Sequence, residues 1–253
     1  MTIPLQTDVV YGPMRSRRFG TSLGINLLPG KAKLCNFDCV YCQYSNTPTE
    51  ASAKFPTLKQ IQLEVEQSLQ PSPLPTQTFD WIMIAGNGEP TLHPLFPEVV
   101  DLLIFLRDLH RPGLPIGILS NASTCHQLRV RQSLAKLDRC FLKLDAGSER
   151  VFQKVNRPVG GHRSWTETVT GLSEIKNIVV QSLFFEGPLS NTGEQDINDW
   201  TRMIRDLAPR AVQIYTVDRQ PDDLSVKAVS HGMLSKIATY VEERSHVPAV
   251  VYG

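Results

Sequence analysis

The sequence predicts an α/β fold, a partial (β/α)6 TIM-like barrel of parallel strands joined by crossover helices. Three observations lead there. Six short apolar runs alternate with segments of helical periodicity, every connection is long enough for a crossover, and the runs end in loops bearing glycine, asparagine or carboxylate. A chain of 253 residues has the size of one α/β barrel, and six units rather than eight leave that barrel incomplete. We expect one domain over residues 1–253, with a core from about 15 to 220 and a C-terminal helical extension.

Residues 1–20 are polar and broken by Pro4, Gly12 and Pro13. Ser22 to Leu28 reads as the first strand, ending at Pro29-Gly30. Thr57 and Gln60 form a capping-box pattern ahead of Leu58, Ile61, Val65 and Leu69, which repeat at helical spacing. Phe79 to Ala85 is a continuous apolar run, as expected of a strand buried on both faces. Leu95, Val99, Leu102, Leu103 and Leu106 stripe the next helix, and Pro115 to Leu119 makes the third strand. Leu128 to Leu137 reads as helix and Cys140 to Leu144 as the fourth strand. Ser164 with Glu167, and Thr192 with Gln195, repeat the capping pattern before helices reaching Ile175 and about Leu207. Ile178 to Phe185 and Ala211 to Val217 are the fifth and sixth strands, and a helix from about Leu234 to Glu243 follows. Pro71 to Pro75 is a short proline-rich turn.

Hydrophobic residues at 41% and charged residues at 20% describe an ordinary globular chain, and a net charge of +1 gives no global attraction to nucleic acid. A local excess exists, because Arg15, Arg17, Arg18, Lys31 and Lys33 face only Asp8 within the first 33 residues. No apolar run approaches the length of a membrane span, and the first residues lack the regions of a signal peptide. A cytoplasmic location with no membrane partner is therefore expected, where five cysteines serve as ligands or buried residues rather than disulfides.

The chemistry concentrates in Cys35-Asn-Phe-Asp-Cys39-Val-Tyr-Cys42, where three thiols lie within eight residues. A closed zinc site takes four ligands, commonly from two C-x-x-C knuckles, and no second pair lies nearby. An iron-sulfur cluster held by three thiolates would leave one iron free for a ligand that is not protein. A zinc-bearing binding module stays open at this point. In Gly86-Asn87-Gly88-Glu89-Pro90, two glycines allow close backbone approach, while the carboxylate and loop carbonyls can accept from an ammonium group. A plain strand-to-helix turn is the alternative. Ser120 and Asn121 end the third strand, where helix capping is the alternative role, and Lys143 and Asp145 share one face of the fourth, where a buried ion pair is the alternative. Gln181, Gln213 and Tyr215 could face a barrel interior by alternation. Cys125 and Cys140 read as buried structural residues, and His93 as a helix-start histidine near the surface.

The spacing C-x3-C-x2-C with Tyr41 before the last cysteine resembles the signature of the radical S-adenosylmethionine (radical SAM) superfamily, and the 86–90 loop is similar to that family's glycine-glycine-glutamate-proline motif, with Asn87 replacing the first glycine. Further strings, Tyr11 to Gly20, Ser22 to Gly30, Leu144 to Gly147, Asn156-Arg-Pro158 and Asp218 to Pro221, resemble a bacterial iron-sulfur oxidoreductase branch related to wyosine-synthesising tRNA enzymes. The wyosine enzymes carry further cysteines ahead of the radical motif, and this chain has none before Cys35.

The resemblance implies that Cys35, Cys39 and Cys42 hold a [4Fe-4S] cluster whose free iron chelates S-adenosyl-L-methionine. It places Tyr41, Gly86, Gly88, Glu89, Ser120, Asn121, Lys143 and Asp145 at the cofactor, with Gly88 and Glu89 on its amino group. The implied reaction is reductive cleavage to a 5′-deoxyadenosyl radical that abstracts hydrogen from a substrate, with an electron donor such as flavodoxin or ferredoxin. A tRNA-modifying enzyme and a glycyl-radical-type activating enzyme are the alternatives within the family. With a net charge of only +1 we favour a substrate other than tRNA, the basic group then facing solvent or a small anionic group.

Overall fold

The computed structural model describes residues 3–44, 54–70, 78–159 and 165–253. The elements run β1 (Val10–Ser16), β2 (Gly20–Ile25), α1 (Leu58–Leu69), β3 (Trp81–Ile84), α2 (Phe96–His110), β4 (Ile116–Ser120), α3 (Leu128–Leu134), β5 (Arg139–Lys143), α4 (Glu149–Val155) and α5 (Trp165–Ser173). They continue with β6 (Val179–Leu183), β7 (Phe185–Glu186), α6 (Glu194–Leu207), β8 (Ala211–Tyr215), β9 (Lys227–Ala228), α7 (His231–Ser245) and β10 (Ala249–Tyr252). One sheet has the order β1-β2-β3-β4-β5-β6-β8-β10, and every pairing in it is parallel except β1 with β2. This is an α/β fold with crossover helices around a curled, mostly parallel sheet.

The predicted apolar runs are continuous because both faces of the sheet are covered. Ile82, Ile84, Ile116, Ile118, Leu142, Val180, Val212 and Ile214 pack with the helices, while alternate residues turn the other way. There Phe19 sits with Met83, Phe141 and Val179, and Trp81 and Ala211 pack around them. Side chains from β3, β5, β6 and β8 gather around one phenylalanine from the β1–β2 turn, so the sheet is curled around a lumen floored by that residue. Contacts between its two ends agree: Arg17 of the turn pairs with Asp218 beyond β8 at 3.2 Å, and Arg18 stacks on Tyr215 at 4.3 Å.

All six predicted strands are present as β2, β3, β4, β5, β6 and β8. The Thr57 capping box forms, with Gln60 N donating to Thr57 Oγ1 at 3.2 Å and Thr57 N to Gln60 Oε1 at 2.9 Å. The Thr192 cap does not form, because α6 begins one residue later from Gly193 without a side-chain cap bond. The Ser164 cap and the proline-rich turn at 71–75 lie outside the described residues. Besides β7 and β9, which pair antiparallel in a separate two-stranded sheet, three elements escaped the sequence reading. β1 contains Gly12-Pro13, which an edge strand tolerates, and its register shifts between Tyr11 and Met14. α4 is only seven residues long, and β10 extends the sheet beyond the expected helical tail.

Phe19 is 7% exposed, and its removal leaves a hole between strands that cannot close around it. Phe19→Ala should lower unfolding free energy by about 3 kcal/mol in denaturant titration. Phe105→Ala, at a position 61% exposed on α2, should change it by less than about 0.5 kcal/mol.

Candidate active site

The loops leaving β2, β3, β4, β5 and β8 gather at the carboxyl ends of the parallel strands. The cysteine loop is fastened on both flanks. On one, Leu34 N donates to Asn87 O at 2.8 Å and Glu89 N to Leu34 O at 3.0 Å, a parallel bridge between Leu34 and Gly88. Gly88 has φ +140°, and a Cβ there would stand 1.9 Å from Leu34 O, so only glycine allows the contact. On the other flank, Asp38 N donates to Asn156 O and Arg157 O, Val40 N to Val155 O, and Val159 N to Asn36 O. Phe37, Val40 and Tyr41 pack with Phe152, Val155 and Phe185 and leave the three cysteines half-buried between them.

Each thiol has its own nitrogen donor. Asn121 Nδ2 lies 3.5 Å from Cys35 Sγ, Asn156 Nδ2 lies 3.5 Å from Cys39 Sγ, and Lys33 hydrogen-bonds Cys42. Burial, with Asp145 nearby, nevertheless pushes the Cys39 thiol up to about 11, and burial also raises Cys35. At Cys35 and Cys39 the protein alone favours the thiol over the thiolate. Lys33 is itself buried, 3.6 Å from Asp38; desolvation opposes its charge, but Cys42, Cys35 and Asp38 outweigh it and raise its pKa.

Glu89 is 1% exposed and ties three loops together. Its Oε1 accepts from Thr91 N at 3.1 Å, Thr91 Oγ1 at 2.5 Å and Ser120 Oγ at 2.8 Å, and its Oε2 accepts from Asn121 N at 2.6 Å. Burial raises the Glu89 pKa, and these donors offset part of that rise. Ser120 and Asn121 therefore cap no helix. They connect Glu89 to the cysteine loop, since Asn121 Nδ2 also donates to Asn36 Oδ1 at 2.9 Å.

Deeper in the lumen, Lys143 and Asp145 form the buried ion pair, at 3.3 Å. Lys143 also donates to the Tyr215 hydroxyl at 2.9 Å and lies over the rings of Tyr41 and Tyr215. Desolvation opposes its charge, yet Asp145 and Tyr215 outweigh it and raise its pKa. Asp145 accepts from the Tyr41 hydroxyl, from Asn156 Nδ2 at 3.0 Å and from Leu183 N at 2.8 Å. Gln181 Nε2 donates to Gln213 Oε1 at 2.7 Å, so the residues expected inside by alternation do meet there.

Comparison with known proteins agrees with this arrangement. A model of the radical SAM superfamily matches residues 32–187, which includes the cysteine loop, the 86–90 loop and β3 to β7. The chain belongs to the radical SAM superfamily. It is 28% identical over 244 residues to a Brachyspira hyodysenteriae protein named GTPase Obg, covering 94% of this chain and 34% of that one. It is 28% identical over 239 residues to a Helicobacter pylori UPF0026 protein, covering 92% of this chain and 74% of the relative. The chain thus spans about a third of the first relative's length. A radical SAM methyltransferase structure from Sphaerobacter thermophilus aligns with TM-score 0.60 at 13% identity, over 96% of this chain and 67% of that one, and shares the fold.

Members of the radical SAM superfamily work with S-adenosylmethionine and an iron-sulfur cluster, and the reading as a zinc-bearing binding module gives way. Its cysteine, glycine and β4 and β5 end residues are brought together as the sequence implied. Cys125 and Cys140 are buried. His93 is a correction: it is 2% exposed rather than near the surface, with Nε2 3.0 Å from Pro56 O and Nδ1 accepting from Leu95 N, and burial lowers its pKa. Nor do the five early cations form one face. Lys33 is buried at the cysteine loop, Arg17 is paired, and Arg18 stacks inside on Tyr215.

Sequence reading gave no role to Asn26, Asn36 and Asn156, although Asn26 and Asn156 lie in strings that carry the subfamily resemblance and Asn36 lies inside the cysteine motif. It also read Asn87 as a mere departure. Asn87 is 0% exposed; its Nδ2 donates to Gln6 O at 2.8 Å and Pro29 O at 2.9 Å, and its Oδ1 accepts from Gln6 N at 2.8 Å. In this radical SAM chain the residue fastens segment 6–29 to the glycine loop. Asn87→Gly restores the family's usual motif, yet should lower stability by about 2 to 4 kcal/mol in denaturant unfolding, because one buried and two part-buried backbone groups lose their bonds.

Proposed function

We propose that the protein holds a [4Fe-4S] cluster through Cys35, Cys39 and Cys42, binds S-adenosylmethionine beside it, and removes a hydrogen atom from a substrate in the lumen. The observation that carries this reading is the Leu34–Gly88 bridge, which makes the three-thiol loop and the glycine loop one unit. The donor chemistry fits, with three thiols in one loop, each with a nitrogen donor, although no three His, Cys, Asp or Glu side chains among the described residues lie close enough to hold a metal ion as they stand. When bound, the pair supplies a 5′-deoxyadenosyl radical after one electron arrives from a donor such as flavodoxin or ferredoxin.

The chain's own residues bind and orient. The Gly88 carbonyl has no hydrogen-bond partner among the described residues and can accept from the cofactor's amino group. Glu89, engaged by four donors, holds that carbonyl in place and connects it to Ser120 and Asn121 at the end of β4. Lys143 offers a cation for the cofactor's carboxylate, and Tyr41 and Asp145 fix Lys143. The dispersal of the early cations supports a substrate other than tRNA, since phosphate binding needs them on one surface.

Anaerobic reconstitution with S-adenosylmethionine and a strong reductant should yield 5′-deoxyadenosine; none forming in an iron-loaded protein would oppose the reading. Cys35→Ala, Cys39→Ala and Cys42→Ala should each lose the brown chromophore, whereas Cys125→Ala and Cys140→Ala should retain it in absorption spectra. Hydrogen bonds to thiolate sulfur favour the reduced, more negative cluster. Asn156→Ala should therefore lower the reduction potential, by up to about 60 mV if one such bond is lost, read by redox titration followed by EPR.

A further inference from the structure

We propose that Arg18 anchors an oxyanion, a carboxylate or phosphate group, carried by the substrate that enters the lumen. This rests on the radical reading of the same site and adds the class of substrate. Arg18 projects from the β1–β2 turn, with its guanidinium 4.3 Å over the Tyr215 ring and 5.3 Å from that of Phe19. Its Nη1 is buried and has no hydrogen-bond partner among the described residues.

The nearby carboxylates are committed elsewhere. Asp218 pairs with Arg17 at 3.2 Å, and Asp145 pairs with Lys143 at 3.3 Å while accepting from Tyr41, Asn156 and Leu183. Arg18 is only partly buried, but a guanidinium nitrogen taken out of water without a partner costs free energy unless a ligand supplies an acceptor. Stacking on Tyr215 makes up part of the deficit and fixes the plane, leaving the donor edge for a planar or tetrahedral oxyanion. Tyr215 is held in turn by Lys143 at 2.9 Å, so the anchor is coupled to the residue assigned to the cofactor. Below lie Phe19, Met83 and Phe141, an apolar floor that offers an anion nothing. The anionic end of the substrate is therefore placed at Arg18, and the rest of it extends toward the cysteine loop.

The test is thermal unfolding of the anaerobically reconstituted full chain in chloride, acetate or inorganic phosphate at equal ionic strength, for wild type and Arg18→Gln. One oxyanion should raise the wild-type midpoint by at least about 2 °C more than it raises that of Arg18→Gln, and the effective anion identifies the carboxylate or phosphate class. In chloride, Arg18→Gln should unfold at the same temperature or higher. Equal shifts in both proteins, no shift by either anion, or a lower midpoint for Arg18→Gln in chloride would overturn the proposal. Equilibrium dialysis with labelled S-adenosylmethionine separates it from the function above: Arg18→Gln should bind as wild type does. Weakened binding would assign Arg18 to the cofactor instead, overturning the substrate anchor while leaving the radical reading intact.

Discussion

The contact on which the site depends is the backbone bridge between Leu34 and Gly88. Two hydrogen bonds join the chain that leads into Cys35 to the loop leaving β3, and they form because residue 88 has no Cβ. Close approach at that point has two effects. It sets the position of the first cysteine, and it turns the Gly88 carbonyl away from the bridge. Gly86 is equally constrained, since a Cβ there would stand 2.2 Å from Asn26 Oδ1. The two glycines thus serve packing between loops as well as access for a ligand.

Around this bridge the polar groups are buried and engaged, as a site built to exclude water requires. Asn26, Asn87, Glu89, Ser120, Asp145 and Asn156 are all under 5% exposed, and each makes hydrogen bonds to residues distant in the chain. Such a network is high-stakes: satisfied, it fixes loops that have no regular secondary structure of their own, and losing one member leaves several partners unpaired. Arg18 is the exception: it stacks on Tyr215, but its buried Nη1 has no hydrogen-bond partner among the described residues. The graded lumen, apolar at Phe19 and charged toward Lys143, gives a substrate one favourable orientation.

The fold was legible because a parallel sheet covered on both faces writes itself as continuous apolar runs, as in Phe79 to Ala85. β1 was not, because an edge strand holding Gly12-Pro13 reads as a turn, and α4 was too short for periodicity to register. At the site, the cysteine and glycine loops were legible from residue type and spacing. The asparagines were not: their role lies in reaching partners up to 117 positions away, as Asn156 reaches Cys39, and local pattern carries no trace of that. Lys143 and Asp145 were placed correctly by alternation, which also offered their pairing, but their ties to Tyr215 and Tyr41 join residues far apart in the chain and needed the fold.

The central claim is that the three-thiol loop and the Gly88 loop act together on one cofactor. The most direct measurement is electron-nuclear double resonance on the reduced, reconstituted protein with S-adenosylmethionine labelled with 15N at its amino group. The account predicts a hyperfine coupling between that nitrogen and the cluster spin, present in wild type and weakened when Gly88 is replaced by Ala. A reduced cluster that shows no such coupling, although S-adenosylmethionine is bound, would contradict it.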